Sequence, residues 1–200
     1  MDPADIDPRS RCRLPLPERD TLPPDAQAVF DRLADPQGGT LRGLAGPGGI
    51  ALHSPGLWRH TRPLNQYLRY EAGLGGRARE LAILVTAREC DSQFEWAAHE
   101  PEAKKEGVPA EAIEIVRHRR DSAGLAEADA AIIALGREMF GARRVSSPTY
   151  ARCLKLFGRG RLVDLVALMG NYAATAALLC AFDMQLDPGQ APPLPILRRP

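Results

Sequence analysis

Ser92, Glu95 and His99 stand at i, i+3 and i+7 in the run Asp91-Ser-Gln-Phe-Glu-Trp-Ala-Ala-His99, so on a helix they share one face. Glu80 lies in the first turn of the apolar stretch just before them. It reaches that face if the two segments fold back as a hairpin. An alcohol, two carboxylates and an imidazole converging there have the parts of a proton-transfer site, since an imidazole titrates near neutrality and both gives and takes a proton. The same residues admit a purely structural reading. Ser92-Gln-Phe-Glu95 is a capping box, with the serine on the Glu95 amide and the glutamate reaching back. Asp91 could take the N-cap instead and release Ser92. His99 could pair on a half-buried face with Glu95 or Glu102, and Glu80 could be a first-turn acid complementing the helix dipole.

The elements that must position these groups are helical. From about Arg77 to Glu89, apolar residues at Ala78, Leu81, Ala82, Leu84, Val85 and Ala87 cover most sides, as in a core helix. Burial in such surroundings would raise the pKa of Glu80 unless an arginine or a charged histidine pairs with it. A turn at Cys90-Asp91 separates this helix from the next, which starts at Ser92 and ends near Gly107, a favoured C-cap residue.

Residues 55–120 resemble the carboxymuconolactone decarboxylase and alkylhydroperoxidase D-like family. The resemblance rests on Glu80-Leu-Ala-Ile-Leu84, Glu95-Trp-Ala-Ala-His99 and Ala103-Lys-Lys-Glu-Gly107-Val108. In the alkylhydroperoxidase branch a glutamate is followed, twelve residues on, by Cys-x-x-Cys-x-x-x-His. Laid on this chain, the glutamate falls on Glu80 and the histidine on His99, while the cysteine positions fall on Ser92 and Glu95. Disulfide exchange needs two thiols, so that activity is not expected, and the cysteine-free decarboxylase branch is closer in kind.

The resemblance implies an all-α bundle of the alkylhydroperoxidase D-like kind, assembled as a homo-oligomer (trimer, hexamer or dimer) with sites near subunit contacts. It makes Glu80, Glu95, His99 and Ser92 the candidate catalytic residues and His53 and Trp96 candidate substrate-binding residues. The expected activity is cofactor-free acid–base chemistry on a small unsaturated lactone or carboxylate, by decarboxylation or a related isomerisation or hydrolysis. His99 would be the acid, with Glu95 or Glu80 as its partner. A cationic anchor for a substrate carboxylate is also needed, and Arg62, Arg77, Arg79 and Arg88 are all available. Two other readings stand beside this one: a non-catalytic helical scaffold for ligand binding or assembly, and peroxide reduction through a lone thiol at Cys90.

Length and composition agree with one helical domain. The chain has 200 residues, with 26 lysines and arginines against 25 acidic residues, so net charge signals neither nucleic acid nor membrane. Sparse aromatics and abundant alanine and leucine favour helices. The cysteines, at 12, 90, 153 and 180, form no C-x-x-C and no cluster with histidine, so no metal site is expected. They read as reduced thiols. The acidic, proline-broken start Met1-Asp-Pro-Ala-Asp-Ile-Asp-Pro8 is unlike a signal peptide, and a cytoplasmic location is expected.

Residues 1–24, with six prolines, read as an extended arm, 25–187 as a single all-helical domain, and 188–200, with five prolines, as an extended tail. Within the domain, a short helix is expected over Asp25 to Leu33. A glycine-rich loop follows over 36–49, where no Gly-Lys-Ser/Thr makes it a phosphate cradle; it is expected to be flexible and could cover a site as a lid. Ser54 and Pro55 then open a helix whose apolar face is Leu57, Thr61, Leu64 and Leu68. Further helices are expected over Val108–Val116, Leu125–Phe140 and Pro148–Phe157. The last, Leu162 to about Phe182, approaches the length of a membrane span, but Asp164, Asn171, Tyr172 and Thr175 interrupt it. A core or oligomer helix is therefore expected there.

Overall fold

The computed structural model describes residues 5–37 and 40–196. Among the described residues eight helices make up the architecture and no strand occurs, as the all-α expectation requires. They are α1 (Pro24–Ala34), α2 (Pro47–Ala51), α3 (Pro55–Gln66), α4 (Gly76–Glu89), α5 (Gln93–Lys105), α6 (Ala110–Arg117), α7 (Glu127–Arg137) and α8 (Ser147–Ala181). A single widened π turn extends both α3 (Tyr67–Glu71) and α7 (Glu138–Ala142). The chain divides into two compact units, Met1–Leu64 with Ala177–Gln190, and Asn65–Ala176 with Ala191–Pro200.

The second unit is built around α4. Every residue from Glu80 to Arg88 is buried, because its leucine, isoleucine, valine and alanine side chains point to all sides. It packs against α5, α6 and α7. Trp96 from α5, Ile113 from α6, Ile132 and Ile133 from α7, and Leu165 and Leu168 from α8 close the core around it. Where α4 meets α5, one residue serves both helices. Ser92 donates its backbone N–H to the Ala87 carbonyl at 2.8 Å, closing α4 in a Schellman-type turn with Asp91 at positive φ (53°). Its Oγ then accepts the Glu95 N–H at 3.4 Å and caps α5. The result is the tight hairpin that brings the two helices face to face. α5 ends with the same device, Gly107 at φ 79° and Val108 N–H on the Ala103 carbonyl.

α8 begins under a cap from Ser146, whose Oγ accepts the Thr149 N–H at 3.4 Å, while Glu138 accepts from Ser146 and Thr149. It breaks at Gly158 (φ 73°, ψ 171°), between the two helices expected from the sequence. By length and composition α8 is apolar enough to cross a membrane. Its buried residues Leu162, Leu165, Leu168, Met169 and Tyr172 belong to the core of the second unit. The segment after Ala191 is held to the same unit. Gln93 donates to the Leu194 carbonyl (3.0 Å) and accepts its N–H (2.8 Å), and Arg88 and Arg117 donate to the carbonyls of Pro195 and Pro193.

In the first unit, the residues before α1 pair with the chain after α8. The Arg13 N–H bonds the Phe182 carbonyl, and the Gln185 N–H bonds that of Arg11. Two local expectations are corrected here. The glycine run ahead of α3 is not a loose loop: Gly48, Gly49, Ile50 and Ala51 are buried in α2. A Cβ on Gly48 would come within 2.8 Å of a Leu33 methyl, and one on Gly49 would overlap the Leu44 carbonyl, so the glycines permit close packing. Residues 38 and 39 of the expected loop lie outside the described residues. On α3, Leu57 and Leu64 are 44% and 46% exposed, and of the expected apolar face only Leu68 is buried. The side of α3 that shares a hollow with α1 carries Pro55, Trp58, Arg59 and Arg62 instead, and Arg59 bonds Asp25 of α1.

Candidate active site

Glu80, in the first turns of α4, and His99, midway along α5, meet across the hairpin. His99 Nδ1 lies 2.8 Å from Glu80 Oε2, with both side chains buried, Glu80 completely. With the carboxylate ionised, Nδ1 carries the hydrogen and donates it, leaving Nε2 as the ring's free lone pair. That nitrogen faces Glu95, one helical turn earlier, at 3.7 Å from Oε2. This is beyond hydrogen-bond range. Oε2 of Glu95 is buried and has no hydrogen-bond partner. The edge of the His99 ring meets the Tyr172 ring from α8 at a centroid distance of 5.0 Å, the planes nearly perpendicular.

Two arginines complete the cluster. Arg79 donates to Glu80 Oε1 (3.0 Å), to the Arg69 carbonyl (2.9 Å) and to Glu106 (3.1 Å), clamping the π turn after α3 onto the start of α4. Arg69, on that turn, approaches Glu80 Oε1 only to 3.9 Å. Its guanidinium lies over the Tyr70 ring at 5.0 Å, and its buried Nε has no partner.

The environment drives the two carboxyls apart. Burial pushes Glu80 upward, but the hydrogen bond and charge of His99, with Arg79 and Arg69 behind them, outweigh it, and Glu80 is held below the usual carboxylate range. Burial also pushes Glu95 upward. The charges of His99 and Arg69 oppose that and Glu80 adds to it, and Glu95 stays above the usual range. Burial raises the Tyr172 phenol as well. A low-pKa acid and a high-pKa acid on either side of one imidazole are the arrangement that separates a positioning carboxylate from a proton donor.

Of the residues singled out from the sequence, Glu80, Glu95 and His99 are brought together. Ser92 is adjacent to them as the cap of α5, the structural half of its two readings; the Glu95 side chain does not reach back to it but turns to His99. Trp96 is enclosed in the core, its Nε1 donating to Glu100 at 2.8 Å and its ring under Arg117. His53 lies in the first unit, exposed, with Nε2 2.8 Å from the Pro15 carbonyl. Neither is grouped with the carboxylates. Three of the four arginines considered as anchors have other partners: Arg77 pairs with Asp129, Arg88 with Asp91, and Arg79 with Glu80 and Glu106. Arg62 belongs to the first unit. Arg69 and Tyr172 were missed. The signal for Arg69 was available, because a chain reversal at Gly73–Gly76 returns the residues before it to the first turn of α4.

Among the described residues, no group of three His, Cys, Asp or Glu side chains is disposed to hold a metal ion. Neither the curated proteins nor the solved structures contain a match to the chain. Residues 55–136, less than half of the chain but including Arg69, Glu80, Ser92, Glu95 and His99, match the model of the carboxymuconolactone decarboxylase family.

Proposed function

We propose that Glu80, His99 and Glu95 form the acid–base relay of a cofactor-free enzyme acting on a small unsaturated lactone or carboxylate, by decarboxylation or a related isomerisation or hydrolysis. The observation that carries this reading is the buried 2.8 Å bond from His99 to Glu80 beside a buried, unbonded Glu95 carboxyl. Burying a polar oxygen without a partner is costly, and such groups concentrate where a ligand or a reaction uses them.

In a decarboxylation, the bond to the leaving carboxylate breaks, carbon dioxide departs, and the electron pair it leaves delocalises into the conjugated carbonyl as an enolate. Arg69 is the cation we assign to the substrate's carboxylate, since among the described residues no carboxylate approaches it closer than 3.9 Å. The enolate carbon then takes a proton from the Glu95 carboxyl, or from His99 Nε2 once that nitrogen has itself been protonated, and the donor is reloaded from solvent. Glu80 keeps the imidazole in one orientation through the Nδ1 hydrogen bond. Isomerisation and lactone hydrolysis draw on the same donor and acceptor.

Cys90 supports the lone-thiol peroxidase reading poorly. It is the C-cap of α4, ten residues beyond Glu80 and so about 15 Å along the helix axis. The scaffold reading keeps one supporting observation. Tyr67, Tyr70, Val163 and Val166 of the second unit are exposed, and Tyr67 bonds Asp164 of α8. This apolar surface fits the homo-oligomer that the family resemblance implies.

Purified protein screened for turnover of unsaturated lactone acids tests the reading, with His99→Ala as the control. Loss of general acid–base catalysis corresponds to a fall of about 10²–10⁴-fold. If His99→Ala turned over every accepted substrate at the wild-type rate, the relay would be wrong.

A further inference from the structure

The first unit contains a second feature suited to a ligand. α1, the end of α2 and the first three turns of α3 line a half-open hollow of about 190 Å³, with apolar walls that include Val29, Leu52 and Pro63. Trp58, Arg59, Arg62 and Asp25 complete its lining. Arg59 is committed to Asp25 through two hydrogen bonds, at 2.7 and 3.3 Å. Arg62, one turn further along α3, has no carboxylate partner among the described residues. Trp58 presents a buried Nε1 that meets no acceptor, although a buried indole N–H normally finds one.

These features are complementary to one kind of molecule. The walls take an apolar body, and a hollow of about 150 Å³ already accommodates benzene. The buried, unmatched N–H calls for an acceptor, and the exposed Arg62 guanidinium at the rim favours an anionic one, so a single anionic group can engage both. An indole face beside the hollow favours a ring over a flexible chain.

We propose that this cavity binds a small cyclic monocarboxylate, aromatic or alicyclic. Its ring sits against Trp58 and the apolar walls, and its carboxylate is shared between the Arg62 guanidinium and the Trp58 indole N–H. The site is separate from the Glu80–His99 cluster and does not depend on that cluster being catalytic.

Calorimetric titration of the full chain with benzoate tests this, with cyclohexanecarboxylate as the alicyclic acid and benzyl alcohol as the uncharged analogue. Both acids are expected to bind at micromolar to low-millimolar concentration, and the alcohol at least tenfold more weakly. Arg62→Ala should weaken benzoate at least tenfold and Arg62→Lys should restore part of it. Trp58→Phe, which keeps a ring and removes only the N–H, should weaken it several-fold. His99→Ala and Arg69→Met should leave benzoate binding unchanged in the wild-type background. The proposal is overturned if benzoate does not bind, if Arg62→Ala and benzyl alcohol match the wild-type benzoate titration, or if Arg69→Met rather than Arg62→Ala abolishes it. Circular dichroism of each variant separates loss of the site from loss of the fold, and Arg62, being exposed, is a position where the fold is expected to survive.

Discussion

Two glutamates with oxygens 2.8 and 3.7 Å from the nitrogens of one imidazole behave oppositely because their partners differ. Glu80 has a hydrogen-bonded histidine and two arginines; Glu95 has neighbours but no bond. The consequences for stability have opposite signs. Glu80 is depressed in the fold, so it contributes stability above its ordinary value of 4.5, and that contribution is lost as the pH falls through its lower folded value. Glu95 is raised, so the unfolded chain ionises first and stability drains away as the pH rises from 4.5 toward its folded value. Glu95→Gln is therefore expected to match wild type near pH 4 and to be progressively more stable above it, measured by urea denaturation across pH 4 to 9. Glu80→Gln should instead lose stability at neutral pH and converge on wild type in acid. His99→Ala leaves Glu80 Oε2 without its hydrogen bond, Oε1 keeping Arg79, and should cost about 1–3 kcal/mol, read in the same titrations. At this scale the sequence was informative where spacing alone set the geometry: Glu95 and His99 share a helix face, and Glu80 needed only a hairpin. Arg69 could have been found from the glycine reversal that precedes α4, but the sequence was silent on Tyr172, whose proximity depends on a helix more than seventy residues away. Ser92 looked equally apt for chemistry and for capping, because a hydroxyl three residues before a glutamate serves either.

Helix positions followed from periodicity, and the faces of α3 did not. The central helices carry their apolar residues so densely that any rotation buries them. α3 alternates leucines with a tryptophan and prolines, and packing chose the bulkier ring over Leu57 and Leu64. Glycine, read from sequence as a breaker, has two distinct duties in the helices. At Gly136 it lets α7 approach α4, since a Cβ there would overlap a methyl of Val85. Gly136→Ala should cost about 1–3 kcal/mol through overpacking. At Gly158 space is open, and the backbone conformation is the constraint. That region of φ and ψ is essentially reserved for glycine, so Gly158→Ala is expected to cost about 1–3 kcal/mol. Thermal melts measure both, and combining the two changes should give additive losses because the sites share no contact.

The C-terminal tail, legible only as a proline-rich extension, is part of the second unit. Leu194 is buried, and the Gln93 side chain bonds its backbone in both directions, as a neighbouring strand would. Ending the chain at Gln190 uncovers an apolar contact and strips carbonyl acceptors from Arg88 and Arg117. A loss of about 2–4 kcal/mol is expected from the leucine and the hydrogen bonds together, seen as a lower urea midpoint. The polypeptide passes between the two units three times, at 64–65, 176–177 and 190–191. Neither unit is therefore one continuous stretch of gene. The part recognisable by kinship, 55–136, carries both glutamates and the histidine yet omits Leu165, Leu168, Met169 and Tyr172. Expressed alone, it should yield a sticky, dye-binding, loosely ordered species. Supplied in trans with a peptide covering 147–196, it should regain sharp near-ultraviolet dichroism, so that the smallest heritable piece of this protein is larger than its smallest recognisable one.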